Sequence, residues 1–182
     1  MAVPAEGEAL ETMDSTRRLG RLDADLAGEE VGDASALERM RVRAFAALAL
    51  EAVGIAQRAL ELSVEHAKTR EQFGKPIGIY QAISHKLADA YANTELARSL
   101  AYWAAWCVAE GDPQAELAVA AAKAYCGDAA VAACERSIQV HGGIGFTWEH
   151  VLHHYYKRAL WIQAYGGYAR VHRAAIAASL LD

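Results

Sequence analysis

Alanine-rich stretches, three of them about 30 residues long, alternate in this chain with short clusters of glycine and proline. Within them, apolar residues recur at intervals of three and four, which is the spacing of one face of an α-helix. The breaks lie at residues 69–79, 111–113 and 142–145, where Gly and Pro end helices. Long helices joined by short connections pack antiparallel. The pattern therefore predicts an all-α fold.

The predicted helices cover residues 35–68, 80–109, 113–140 and 147–163, and a further one follows Gly166-Gly167 and ends near residue 181. Ser35 and Glu38 are spaced as a capping box for the first helix. Asp112 is a good N-cap for the third helix, with Pro113 at its first position. Together these segments predict an antiparallel up-down four-helix bundle with an additional C-terminal helix.

Residues 1–34 have a different composition, with Pro4, several glycines, mixed charge and only weak alternation around Leu19, Leu22 and Leu26. Such a sequence predicts strand or irregular structure, and it is too short to form a stable sheet by itself. We therefore divide the chain into residues 1–34, a remnant or linker from a preceding β-domain, and residues 35–182, the helical bundle.

Composition excludes several classes of function. The formal net charge is −5 and no dense Lys/Arg cluster occurs, which argues against nucleic-acid binding. We find no apolar run of the roughly 20 residues that cross a bilayer and no secretory signal, so we predict no membrane span and a cytoplasmic protein. Three cysteines without Cys-x-x-Cys spacing are predicted to be reduced, buried thiols.

Two other patterns were considered as sites. His150, His153 and His154 lie at helical spacing beside Glu149, but they lack the order of a zinc hydrolase motif. We interpret them as surface or interface histidines and predict no metal site. The glycines at 142–145 do not follow a strand or match a dinucleotide-binding fingerprint, so a Rossmann site is not predicted.

Two of the helix breaks are candidates for ligand binding. Residues 70–81 read REQFGKPIGIYQ, and an Arg fork there could bind a phosphate while the glycines bring the backbone close. The alternative is an ordinary polar loop. Residues 139–150 read QVHGGIGFTWEH, where adjacent glycines either cap a helix or let a large group approach the main chain.

Both motifs, in this order and at this separation, resemble the C-terminal helical domain of the acyl-CoA dehydrogenase family. The resemblance covers residues 36–182. Residues 11–32 are further similar to the last strand of that family's middle β-domain, so the chain is expected to lack most of the N-terminal helical and β domains.

The resemblance implies a function. Family members oxidise the Cα–Cβ bond of an acyl-CoA: a carboxylate removes the α-proton while a hydride passes to N5 of FAD. FAD lies between the β-domain and the bundle, and its diphosphate and adenosine reach the bundle of a neighbouring subunit. By motif position, the residues implied in binding that cofactor are Arg70, Phe73, Gln81, Gln139, Gly142 and Gly143.

The resemblance supplies no catalytic base. The family's Tyr-Glu-Gly segment corresponds to Tyr165-Gly166-Gly167, so Gly166 replaces the carboxylate. A second branch of the family has its Glu where this chain has Ala44, and an Arg that helps hold CoA falls on Phe45. Proton abstraction needs a positioned group of suitable pKa, so we predict no catalytic residue in this chain.

We therefore predict an FAD-facing C-terminal domain that is inactive as an isolated chain, similar to the non-catalytic subunits of actinobacterial heteromeric enzymes. Its partners would be further copies or a second acyl-CoA dehydrogenase-like subunit, and acyl-CoA would be the substrate of the full assembly, in lipid or steroid degradation. FAD would be shared across the subunit interface, which leaves open whether the isolated domain retains it. The alternative is a stand-alone helical oligomerisation module without flavin chemistry.

Overall fold

The computed structural model describes residues 7–22 and 32–181. Five helices dominate it, and the predicted all-α bundle with an additional C-terminal helix is confirmed. Their bounds are α1 Ala34–Thr69, α2 Gln81–Glu110, α3 Ala115–His141, α4 Leu152–Ala164 and α5 Ala169–Leu181. Two short antiparallel hairpins are also present: β1 Glu8–Leu10 with β2 Leu19–Arg21, and β3 Glu71–Gln72 with β4 Lys75–Pro76.

Helix α3 lies at the centre of the bundle and packs against α1, α2, α4 and α5. It is apolar and, with the turn that follows it, long enough to meet the length and composition of a membrane span. However, 72% of its most apolar window is buried inside the bundle. Burial on several sides explains the composition of α3, since a helix surrounded by other helices is hydrophobic all round.

Alanine makes up most of the core, which lets the helices approach one another closely. Leu152 and Ile162, both on α4, are the largest fully buried side chains. α4 therefore supplies the bulky groups that fill a core lined by small ones. The alanines of the three long helices that expose no surface are Ala49, Ala52, Ala59, Ala97, Ala101, Ala104, Ala118, Ala122 and Ala130.

A hydroxyl pair crosses the contact between α1 and α3. The oxygens of Ser63 and Ser137 are 2.6 Å apart, and each lies within hydrogen-bond distance of the Ala59 carbonyl, at 2.9 and 3.0 Å. Both side chains are buried. Because these hydroxyls satisfy each other only at one relative height of the two helices, they specify the alignment of α1 with α3.

Two predicted helix starts were wrong in detail. The N-cap of α1 is Asp33, whose carboxylate accepts from the Ala36 amide at 2.8 Å, while Ser35 donates to the same carboxylate at 2.7 Å. The predicted capping box does not form, since Asp33 already occupies the cap. Asp112 accepts from the Gln114 amide at 2.8 Å, so it closes a turn, and α3 begins at Ala115.

Helix α4 begins at Leu152, several residues after its predicted start. The intervening chain forms a 3₁₀ turn at Gly142–Phe146. The N-cap of α4 is Val151, and the amide of the first helical residue, Leu152, donates to Nδ1 of His150 at 3.3 Å. The short connection expected from the glycines is therefore a structured segment of about ten residues.

The β1–β2 hairpin accounts for the described part of the N-terminal region, and residues 23–31, with Leu26, lie outside the described residues. Arg17 stacks on Trp161 of α4, with its guanidinium carbon 3.3 Å from the ring centroid. Arg158, also on α4, pairs with Glu51 of α1 at 2.6 and 2.8 Å. Cation–π and ion-pair contacts therefore attach the hairpin to α4, and α4 to α1.

Candidate functional site

The two sequence motifs meet at one end of the bundle. His66, on the last turn of α1, stacks on His141, the last residue of α3, with ring centroids 4.4 Å apart. On the other side of His141 lies His150, at 4.5 Å. This row of three imidazoles, which we call the histidine stack, brings the segment that follows α1 beside the glycine turn that follows α3.

Arg70 is the C-cap of α1, and its backbone closes the loop that follows. Its amide donates to the His66 carbonyl at 2.8 Å, and its carbonyl accepts from the Ile77 amide at 2.8 Å. The side chain is exposed, and no carboxylate among residues 7–22 and 32–181 pairs with it. The fold therefore fixes the backbone of Arg70 and leaves its guanidinium fork available for a ligand.

Phe73 occupies the tip of the β3–β4 hairpin in an uncommon conformation. Its φ is +54°, that of Gly74 is +74°, and its side chain is 92% exposed. Two successive positive φ values define the type I′ turn that suits a two-residue hairpin, but Phe is a costly residue at such a position. The Tyr80 hydroxyl stabilises the hairpin by donating a hydrogen bond to the Gln72 carbonyl at 3.0 Å. The strand pair thus presents an aromatic ring to solvent.

The glycines of the second motif differ in their roles. Gly142 has φ +63° and ψ −135°, a conformation that requires glycine, whereas Gly143 has no positive φ. A Cβ on either residue would meet no atom within 4 Å. At Gly145 a Cβ would lie 2.7 Å from the Ile138 carbonyl oxygen. Gly142 and Gly143 therefore leave open space above the backbone, while Gly145 permits internal packing.

Gln139 is exposed on the last turn of α3, and Gln81 is exposed at the start of α2. Apolar groups extend the same surface beyond the glycine turn, since Ile144, Phe146 and Trp148 are all largely exposed. Lys157 lies over the Trp148 ring, with Nζ 4.0 Å from its centroid. This end of the bundle combines a cation, open backbone and flat rings, which suits a phosphate ester that carries an aromatic base.

The three histidines considered for metal binding do not converge. His150 faces His141, whereas His153 and His154 face each other at 3.9 Å and His153 contacts Trp148 at 4.8 Å. Among the described residues, no group of three or more His, Cys, Asp or Glu side chains is arranged to hold a metal. These histidines therefore act as stacking groups in the structure. The sequence interpretation missed the histidine stack because His66 is distant in sequence from the other two members.

The positions at which the resemblance places a base hold no carboxylate. Gly166, with φ +74°, forms the turn between α4 and α5, and Ala44 is exposed on α1. Glu149 is exposed, and a hydrogen bond from Thr147 lowers the pKa of its carboxyl group. A general base near neutral pH would need the opposite shift, so Glu149 has no base-like environment.

Two basic groups are buried near Gly166. The Lys123 ammonium of α3 donates to the Ile162 carbonyl at 2.7 Å, and burial lowers its pKa. His172 of α5 lies 3.1 Å from the Gly167 carbonyl through Nε2, and burial likewise lowers its pKa. Both side chains hydrogen-bond to the backbone around the α4–α5 turn, so they hold that turn in place.

The histidines make the free energy of unfolding of the bundle depend on pH. Burial first, and then His141, Arg70 and His150, lowers the pKa of His66, and burial followed by His141 lowers that of His150. The folded chain thus binds fewer protons at these sites than the unfolded chain. Their contribution to stability is complete above the unfolded pKa of about 6.5 and is lost as pH falls through the folded values.

We predict that the free energy of unfolding, measured by urea titration, decreases as pH falls below about 6.5. The double variant His66→Gln with His150→Gln should show a shallower decrease, since two of the groups that take up protons on unfolding are absent. His85→Gln, an exposed site on α2, is the matched control and should keep the parental slope. An unchanged slope in the double variant would contradict this assignment.

Comparison with known proteins shows what the chain is related to. Residues 33–181 match the family model described as acyl-CoA dehydrogenase, C-terminal domain. The bundle, its glycine turn and its Arg-bearing loop thus define the class of fold, an acyl-CoA dehydrogenase-type helical domain. The chain belongs to the acyl-CoA dehydrogenase family.

Individual relatives agree with that membership. The acyl-CoA dehydrogenase IpdE2 of Mycobacterium tuberculosis is 41% identical over 148 residues, which are 81% of this chain and 43% of IpdE2. A variant of the steroid ACAD Tcur3481-Tcur3483 superimposes with a TM-score of 0.87 at 29% identity, over 98% of this chain and 49% of that one. The structure of PigA with FAD and proline gives 0.77 at 27% identity, over 90% and 43%. The chain spans less than half the length of each.

Proposed function

We propose that this chain is the FAD-facing C-terminal domain of an acyl-CoA dehydrogenase, and that it binds the dinucleotide of a neighbouring subunit at the end that carries the histidine stack. The stack supports this proposal most directly, because it brings Arg70 and the Gly142 turn together from separate parts of the sequence. The binding residues would be those implied by the motifs: Arg70, Phe73, Gln81, Gln139, Gly142 and Gly143.

The described residues fit the diphosphate end of FAD. The Arg70 guanidinium fork, which pairs with no carboxylate among the described residues, offers two parallel hydrogen bonds to phosphate oxygens. Open space over Gly142 and Gly143 would let those oxygens approach the backbone, where a side chain would keep them away. The exposed ring of Phe73 would stack on a flat group. FAD would accept the hydride from the acyl chain; these residues would bind and orient the cofactor.

The chain itself is proposed to be inactive when isolated, because neither Gly166 nor Ala44 offers a group that could remove a proton. Residues 1–34 would be the end of a preceding β-domain, and residues 35–182 the bundle. Its partner would be another copy or, better suited to the missing base, a second acyl-CoA dehydrogenase-like subunit in a cytoplasmic complex. Acyl-CoA thioesters would be the substrates of the complete assembly.

Co-expression tests the proposal. The chain is produced together with an acyl-CoA dehydrogenase-like subunit that serves as the candidate partner, and the purified complex is examined for flavin absorbance. We expect one flavin for each bundle end that faces a cofactor-binding β-domain. A complex that stays colourless after incubation with excess FAD would favour the alternative, a helical oligomerisation module without flavin chemistry.

A further inference from the structure

Phe45 of α1 fills the space above the α4–α5 turn. Its ring is buried and meets Tyr165 and His172 edge-on, with centroids 6.4 and 5.5 Å apart. A Cβ built on Gly166 would lie 2.2 Å from Cζ of Phe45 and 2.4 Å from Cε1. Real side chains do not approach so closely, so no side chain at position 166 is compatible with this placement of the ring.

Two cationic side chains near the ring oppose its displacement. Arg41, one turn earlier on α1, lies over the ring with its guanidinium carbon at 5.5 Å. Lys123 of α3 approaches with Nζ at 5.8 Å while donating to the α4 backbone. Displacement of the ring would disturb cation–π contacts and a core close-packed with other side chains.

We propose that Phe45 closes the space beside Gly166, where the resemblance places the catalytic base and therefore the acyl group, and so restricts the chain to supporting the cofactor. The inference rests on the function proposed above, since it concerns where the acyl thioester would have to enter. The absence of a carboxylate at position 166 is then only one of two obstacles to catalysis in this chain. A glutamate restored at that position would have no space, and an acyl group beside the turn would meet the same ring.

An alternative explanation for Gly166 is its positive φ, which favours glycine whatever lies nearby. A double-mutant cycle separates the two causes. Gly166→Ala introduces a φ penalty in any background, but the clash with the ring exists only while Phe45 is present. Gly111 supplies a matched control, because its φ is +66° and a Cβ there would meet no atom within 4 Å.

The experiment measures unfolding equilibria for Gly166→Ala and Gly111→Ala, each in the parent and in Phe45→Ala. We expect Gly166→Ala to shift the unfolding equilibrium at least tenfold more in the parent than in Phe45→Ala, and Gly111→Ala to act equally in both. Equal effects of Gly166→Ala in both backgrounds would overturn the proposal. If Phe45→Ala does not fold, the same comparison is made in Phe45→Leu, which also removes the aromatic ring.

A binding measurement tests the functional half. S-Butanoyl-N-acetylcysteamine, a short acyl thioester, is titrated into the isotope-labelled chain while the amide signals of Gly166 and His172 are followed. We expect shifts in Phe45→Ala and none in the parent. Saturable shifts at these residues in the parent would overturn the proposal, and so would their absence in a folded Phe45→Ala. Neither readout involves flavin, so a colourless complex would reject the proposed function independently.

Discussion

Arg70→Ala is expected to lower the flavin content of the assembled complex at least tenfold while leaving the helical content of the chain unchanged. The guanidinium is exposed and has no carboxylate partner among the residues described, so its removal costs the bundle almost nothing. A bidentate, charge-assisted interaction with a diphosphate contributes more binding free energy than an ordinary hydrogen bond. A loss of about 1.4 kcal/mol already corresponds to a tenfold change in affinity.

Two further variants sharpen this test. Arg70→Lys keeps the positive charge but loses the planar fork, and should retain an intermediate amount of flavin. Arg58→Ala is the matched control, since Arg58 is exposed on α1 and pairs with Glu61 at 3.0 Å. Flavin content is measured by absorbance after gel filtration, and helicity by far-ultraviolet circular dichroism. Equal flavin content in the parent and in Arg70→Ala would contradict a role of Arg70 in FAD binding.

The largest effect on stability is expected from Leu152→Ala, which should lower the free energy of unfolding by about 3–5 kcal/mol. Leu152 is fully buried at the start of α4, where it enters a core lined mainly by alanine. Small neighbours on fixed helices cannot collapse into the vacated space, so the cavity persists and adds to the lost burial. This loss is a large share of the 5–15 kcal/mol typical of a folded domain.

Val151 and Ile162 provide the controls for Leu152. Val151, the preceding residue, is 43% exposed, so Val151→Ala should change stability by no more than about 0.5 kcal/mol. Ile162→Val removes a single buried methylene from the same helix and should cost about 1 kcal/mol. Denaturant titrations give all three values. A Leu152→Ala cost no greater than that of Ile162→Val would mean that the core repacks around the missing side chain.

Helical periodicity predicted the architecture because its signal is repeated along each segment. The first helix was expected over 35–68 and spans Ala34–Thr69; the second was expected over 80–109 and spans Gln81–Glu110. Helix starts were predicted less well, since they depend on single hydrogen bonds. Asp33 and Ser35 are both good caps, and only the three-dimensional path of the chain decides that Asp33 takes the position.

The candidate site was only partly visible in the sequence. Its Arg and glycines stand out as residue types, and the resemblance identified them as candidates for FAD binding, which remains a prediction. The histidine stack and the ring of Phe45 over Gly166 were not predicted, because each depends on residues far apart in sequence being brought together by helix packing. Glycine at 166 suggested a missing group, whereas the structure shows that the space for that group is also missing.

The small side chains along α3 have a mechanical consequence. Alanine has no rotamers to change, so a core made of it cannot absorb a displacement by rearranging side chains. The Ser63–Ser137 hydroxyl pair opposes sliding of α3 along α1. With 27 residues, α3 reaches about 40 Å at the usual rise per residue. A displacement of the Gly142 turn would therefore be transmitted along α3, as a rigid movement, to the far end of the bundle.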